Sequence, residues 1–420
     1  MKKLHMALVL LVVFGACRRQ PLREDADFLK NLLARDPALA AVLAQADSLE
    51  VQIIYTMIDR DTANYPTFRT FYYNVDSTHY FYPASTVKLP AVMLALEKLR
   101  ALNIDSLDVY TPMFHDSVYA GQLSVVRDST ARSGLPSVEH YMKKILVVSD
   151  NDAYNRLYEF VGQKAMNERL HQLGYRQVRI LHRLERPLSR EENAHTEAVR
   201  FEKRGRVVYH QPMLVNEPLI EVPEKIFRGT GFMLNDSLIQ QPFDFTYKNF
   251  FPLTEQHAML RAILFPETVP PARRFAISEE DRARVLEYMS QLPTETYAPS
   301  YATDTTYYQA YCKFLMFGGG RGPIPPGLRI FNKVGDAYGY LIDNAYIVNF
   351  DTGVEFMVSA VINTNTDGVY NDGKYDYETL GFPFLKRLGE VLYQYEREER
   401  EKGVMPEFSG FRFYYHDKKK

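Results

Sequence analysis

The chain is 420 residues long and carries 50 Lys and Arg against 52 Asp and Glu, a formal net charge of −2. So balanced a charge gives no reason to expect a nucleic-acid or anionic-membrane partner, and points instead to a small molecule or a polymer end. With 46% hydrophobic residues the length allows one large α/β domain with additions, or two domains.

The opening MKKLHMALVLLVVFGAC has a basic start, an apolar run and small residues before a cysteine. It reads as an export signal over residues 1–16, too short to span a membrane. Gly15-Ala16-Cys17 suits a bacterial lipoprotein signal, with Phe14 where Leu is commoner. Lipidation of Cys17, a linker over 17–24 and a periplasmic chain anchored to a bacterial membrane, the outer one by preference, are therefore expected. An ordinary signal with an incidental cysteine is the alternative. Only Cys312 would then remain free in the mature chain, which leaves no intramolecular disulfide and no cysteine-based metal cluster. Cys312 reads as a buried apolar residue.

Residues 25–46 carry two short helical patterns separated by Pro37. The runs VQIIYTMID and RTFYYNV follow as strands of a hairpin at a sheet edge. An intensely apolar helix is expected over 87–99, an apolar segment over 141–148, and one helix from about 152 to 171. The middle, 196–328, mixes aromatics, prolines and charges, with one amphipathic helix over 279–291 and a glycine-rich loop, GGGRG, at 318–322. That loop lacks the spacing of a dinucleotide or phosphate-binding motif. The runs LRIFNKVG, GYLIDNAYIVNF and VEFMVSAVI predict an antiparallel meander, followed by an amphipathic helix over 376–396 and a lysine-ended tail. Asn363-x-Asn365-x-Asp367-Gly368 begins like a calcium loop but places Lys374 at the closing ligand position, so it reads as a turn.

Three short motifs carry chemistry. Ser85-Thr86-Val87-Lys88 opens the apolar helix, and a spacing of three puts hydroxyl and amine on one face. A helix cap followed by a solvated lysine would look the same. The context argues for more, because a lysine on a helix apolar on most sides must be paired or neutral. Burial lowers its pKa, which would let Lys88 accept the Ser85 proton near neutral pH. Ser149-Asp150-Asn151 lies between an apolar segment and a helix start, where these residues are also ordinary caps. Lys333-Val334-Gly335 ends a strand pattern and means little alone.

In this order and setting the three motifs resemble those of the serine β-lactamases and penicillin-binding proteins, Ser-x-x-Lys, Ser-Asp-Asn and Lys-Thr-Gly. The resemblance covers residues 25–195 and 328–398. It implies an antiparallel sheet flanked by helices plus an all-helical subdomain, with 196–327 as an insertion of unknown fold and 399–420 as a C-terminal tail. It implies Ser85 as the acylated nucleophile, Lys88 as its base, Ser149 as a proton relay to the leaving nitrogen, and Asn151 as a contact to substrate and lysine. Lys333 would hold the substrate carboxylate and Ser149 electrostatically, with Gly335 also at the substrate, and the backbone N–H groups of Ser85 and Asp336 would form an oxyanion hole. Val334 departs from the family's Thr or Ser. Arg183-Leu184-Glu185-Arg186-Pro187-Leu188-Ser189 is similar to the loop that carries the deacylating Glu in class A enzymes, making Glu185 the candidate, with Glu191, Glu192 and Glu197 as competitors. The expected activity is hydrolysis of β-lactams or related cell-wall amides through an acyl-enzyme, with no cofactor or metal. A D,D-peptidase or transpeptidase is the alternative within the superfamily, and a non-catalytic wall-binding or sensor module the alternative outside it.

Overall fold

The computed structural model describes residues 27–119 and 122–415; the expected export signal, Cys17 and the terminal lysines lie outside them. The described residues open with two short helices, α1 (Phe28–Leu33) and α2 (Pro37–Leu43). Asp36 starts the second by accepting the N–H groups of Ala38 and Leu39 at 3.1 and 3.0 Å, and Pro37 takes the first-turn position where no N–H is needed. Strands β1 (Gln52–Arg60) and β2 (Pro66–Tyr73) then form the expected hairpin, in register from Ile53 opposite Tyr73 to Arg60 opposite Pro66.

A 3-10 turn, Ala84–Val87, leads into α3 (Lys88–Ala101). After β3 (Met113–Asp116) come α4 (Val138–Val148), α5 (Asn151–Val161), α6 (Gln163–Gln172) and α7 (Arg190–Ala194). The single helix expected over 152–171 is thus two. Gly162, at φ 90° and ψ 137°, breaks it, a conformation closed to other residues without strain. Strands β4 (Ala198–Lys203) and β5 (Arg206–Gln211) join β3 in a small antiparallel sheet on the helical subdomain, which is therefore not all helix.

Four short strands, β6 (Phe227–Arg228), β7 (Gly231–Leu234), β8 (Ser237–Ile239) and β9 (Phe243–Asp244), precede α8 (Leu253–Leu264) and α9 (Glu279–Ser290). The meander follows as β10 (Leu328–Ala337), β11 (Tyr340–Asn349) and β12 (Val354–Asn363), then β13 (Val369–Tyr370) and α10 (Phe382–Glu398). The main sheet has the order β10-β11-β12-β1-β2, antiparallel throughout.

Strands β11 and β12 are buried at every residue, because helices cover both faces. That is why their sequences run nearly continuously apolar instead of alternating. One face packs Leu29, Leu33, Leu385 and Leu388 of α1 and α10. The other packs α3, α4, α5, α8 and α9. Most polar side chains inside these strands are partnered, as burial requires, although Asn344 Oδ1 has no hydrogen-bond partner among the described residues. Glu355 takes a bidentate pair from Arg60 at 2.8 Å, Asn344 donates to Gln256 at 2.6 Å, and Ser359 meets His257 at 2.9 Å.

Within 196–327, read from the sequence only as an insertion of unknown fold, α8 lies on β1, β11 and β12, and α9 on β10. One expectation from the sequence gives way to packing. The C-terminal stretch, as far as residue 415, is no free tail, since Phe408, Phe411 and Tyr415 are buried. The Phe411 ring meets Phe265, Phe331 and Tyr346 at 5.8, 5.5 and 5.1 Å. Aromatic spacing without helical or strand period hid this docking. Phe411→Ala is expected to lower unfolding free energy by about 3–5 kcal/mol in urea melts, as for other buried aromatics. Tyr414→Ala, at a side chain 98% exposed, should change it by less than about 0.5 kcal/mol.

Candidate active site

The serine-bearing turn is wedged against the outer edge of β10. Thr86 closes it by donating its hydroxyl to Pro83 O at 2.7 Å, and Ala84 sits at φ 48°, a left-handed conformation unusual for a residue with a side chain. Gly335 lets the strand come this close. A Cβ there would stand 2.7 Å from Pro83 O and 3.2 Å from Ala84 Cβ, so no larger residue fits without moving the turn. Ser85 opens from the turn into a cleft of about 450 Å³, shared with Asn151, Glu185, Asp336 and three tyrosines, Tyr82, Tyr338 and Tyr375.

Behind the serine, Lys88 is fully buried. Its Nζ donates to the Ser149 carbonyl and, at 3.2 Å, to Ser149 Oγ. Lys333 Nζ donates to the same hydroxyl oxygen at 2.8 Å and to Val334 O at 3.0 Å. Ser149 reaches both lysines because it ends α4 at φ 60°, turning its carbonyl and side chain back across the helix end, while Asp150 caps α5 through Ala153 N–H at 2.7 Å. Ser149 is thus the C-cap of α4, and the N-cap role its sequence setting also allowed falls to Asp150.

The electrostatics separate the two lysines. Burial, then the nearby Lys333, hold Lys88 well below the ordinary lysine range. Burial lowers Lys333 to about 8. Both lysines therefore give up a proton more readily than an exposed lysine does, Lys88 with the added repulsion of Lys333. Cys312 lies beside them, buried, its thiol pushed up to about 11 and so protonated.

Glu185 is the acid that the loop 183–189 presents to the cleft, at φ 53°. The loop is pinned from below. Asn155 donates to Leu184 O and accepts from Leu184 N–H, both at 2.9 Å. Buried Arg183 pairs with Glu159 and donates to Glu192 O and His195 O at 3.1 and 2.6 Å. The competing acids are occupied elsewhere: Glu197 pairs with Arg156 at 2.7 Å, and Glu192 closes the capping box of α7 with Ser189. Glu191 is exposed on α7 and does not line the cleft. Asn363 and Asp367 spend their side chains on the turn after β12, accepting Asn365 and Val369 N–H groups at 2.9 Å.

Ser85, Asn151, Glu185 and Asp336 thus line one cleft, and Lys88, Ser149 and Lys333 form one hydrogen-bonded group. Sequence reasoning missed the tyrosines and the Arg183–Glu159 pair. Arg183 stood in the quoted loop pattern, but nothing in the sequence named its partner 24 positions back.

Helices on both faces of an antiparallel sheet, with a serine turn held between the sheet edge and a helical subdomain, define a β-lactamase/transpeptidase-like fold. Residues 35–212 match the model of a family described as the β-lactamase enzyme family. Among solved structures, the chain is similar to a β-lactamase from Sphaerobacter thermophilus at 16% identity and a TM-score of 0.45, over 87% of this chain and 99% of that one. It is also similar to a β-lactamase from Chitinophaga pinensis at 11% identity and a TM-score of 0.47, over 86% and 99%. A β-lactamase from Burkholderia vietnamiensis aligns at 14% identity and a TM-score of 0.44, over 91% and 100%. No protein of curated function matches the sequence.

Gly335→Ala should displace the turn and slow labelling of Ser85 by a fluorophosphonate at least about tenfold, since small misplacements of a reacting group are costly. Gly403→Ala, whose added Cβ meets nothing within 4 Å, should label at the parent rate.

Proposed function

We propose that this chain is a serine hydrolase that opens β-lactams or related cell-wall amides through an acyl-enzyme on Ser85. One observation carries the reading: a single hydroxyl, Ser149 Oγ, receives N–H bonds from two buried lysines at the back of the cleft that Ser85 enters. Ionisable groups held out of water in this way are costly unless they are used.

In the proposed sequence, Ser85 Oγ attacks the substrate carbonyl and its proton passes to the neutral Lys88 amine, with Glu185 and a water assisting. The backbone N–H groups of Ser85 and Asp336 receive the oxyanion. As the C–N bond breaks, Ser149 gives its proton to the leaving nitrogen and is reprotonated from Lys88; the charged Lys333 fixes the Ser149 hydroxyl during the transfer. Water then attacks the Ser85 ester, losing a proton to Glu185, and Ser85 leaves with a proton restored. Asn151 faces the substrate from the start of α5. Held in the periplasm by a lipid on Cys17, such an enzyme would meet cell-wall amides directly. If Glu185 plays no part in deacylation, the same cleft would instead pass its acyl group to an amine as a D,D-peptidase or transpeptidase does.

Intact-protein mass spectrometry of the chain lacking residues 1–17 tests this. A fluorophosphonate adduct is expected on the parent and absent from Ser85→Ala; its absence from the parent would overturn the reading. With benzylpenicillin, an adduct that clears from the parent and persists in Glu185→Gln would assign deacylation to Glu185. A parent adduct that never clears would favour the peptidase. No lactam adduct, alongside fluorophosphonate labelling, would direct the activity to other amides.

The pH profile follows from the lysine pair. A charged Lys333 is required, so the Ser85 labelling rate should fall as pH rises through about 8. In Lys333→Arg, whose guanidinium stays protonated, that limb should vanish up to about pH 10. The low-pH limb, set by protonation of Lys88, should remain in that variant.

A further inference from the structure

The charge on the cleft walls bears on which acyl donor Ser85 receives. Among the described residues lining the cleft, none is Lys, Arg or His, and two, Asp336 and Glu185, are acids. Lys88 and Lys333 stand behind Ser149, and their bonds go to Ser149 and Val334 O. Val334, buried beside them, offers no hydroxyl.

Asp336 follows Gly335 at the end of β10, with its side chain open to solvent yet closely surrounded by protein. Among the described residues none donates a hydrogen bond to its carboxylate. Burial pushes that carboxyl up, as does the nearby Glu185, while Lys88 and Lys333 pull it down without contact.

The mouth of the cleft is aromatic, and one of its rings is held at a cost. Tyr338 and Gly339 form the two-residue turn between β10 and β11, with φ 56° and 83°. Such turns favour Asn, Asp or Gly at the first position, and a tyrosine there is strained. The Tyr338 ring is locked edge-on against Tyr82 at 5.0 Å and Phe245 at 5.3 Å. Tyr375 adds a further ring to the lining. Lys248 Nζ already lies 5.9 Å from the Tyr338 ring centroid, and the carboxylates beside Tyr82 and Tyr375 would favour a ligand cation and repel an anion.

We infer that the cleft takes acyl donors bearing a positively charged amine, with the Asp336 carboxylate as counter-ion. This rests on the reading of Ser85 as the acylated nucleophile and, among the β-lactams and cell-wall amides proposed above, favours donors that bear a cationic amine. Asp336 is here a specificity-determining residue through its side chain, apart from the oxyanion role of its backbone.

The test uses three p-nitrophenyl esters of matched length and shape: a quaternary-ammonium butyrate, its neutral tert-butyl isostere and a sulfobutyrate. For the parent protein, kcat/KM normalised to the neutral ester should favour the cation over the anion by about 100-fold, the order expected for one compensated charge against one repelled in a partly screened site. Asp336→Asn should cut that ratio about tenfold, and Asp336→Lys should invert it. A parent ratio at or below one, or a ratio that Asp336→Asn leaves unchanged while Ser85 still labels with the fluorophosphonate, would overturn the inference and leave the hydrolase reading standing. Failure of Ser85 to label would overturn the hydrolase reading instead. In that event calorimetric binding of the quaternary-ammonium butyramide decides the cleft's charge preference. Binding that Asp336→Asn weakens would support it, and no binding to the parent would overturn it.

Discussion

Two buried lysines sharing one hydroxyl is the constraint on which the rest of the site depends. Ammonium groups placed this close, out of water, cannot both keep their charge, because burial and mutual repulsion both favour losing a proton. The difference in their surroundings decides which one does. Both are buried, and Lys88, at the start of α3, is lowered further by the positive charge of Lys333 on the edge strand. In the proposed mechanism one lysine serves as the base and the other as a fixed positive charge, and no histidine lines the cleft among the described residues.

Keeping that arrangement requires the two layers to be locked together, and the fold supplies the lock at several places. The left-handed end of α4 aims Ser149, and Gly335 lets the serine turn touch the sheet edge. Deeper in β10, Asn332 bridges Lys313 and Asp343 at 2.6 and 2.8 Å, so that the strand carrying Lys333 is tied to the segment before it in sequence and to β11. The Glu185 loop is fixed from the opposite side by Arg183 and Asn155. Parallel pairing of β13 with β7, Val369 opposite Gly231, connects the middle segment to the turn that brings Asn371 and Gly373 to the cleft. Variation in that segment can therefore reshape the cleft mouth while leaving the lysine pair untouched.

Much of this was legible in the sequence where period or motif spoke locally. The hairpin, the meander, the apolar helix after Ser85 and the three motifs could be placed because each is a short-range pattern. Long-range features stayed hidden. Gly162 reads as one glycine in a helical run, and only its φ shows the break. The middle segment lacks period because it packs short strands and loops under helices that contribute to the main core. The aromatic C-terminus looked like a tail because its rings dock singly. Glu185 could be named from its loop, but separating it from Glu192 and Glu197 needed their partners, Ser189 and Arg156.

The central claim, that Lys88 is a neutral amine at physiological pH, can be read without any substrate. Protein labelled with 13C at lysine Cε, with Lys88→Arg to assign the signal, should show the Lys88 resonance at the free-amine position at pH 7. It should move to the ammonium position only on acidification. A Lys88 signal that stays at the ammonium position up to about pH 10, the ordinary lysine range, would contradict the account and leave Ser85 without its base.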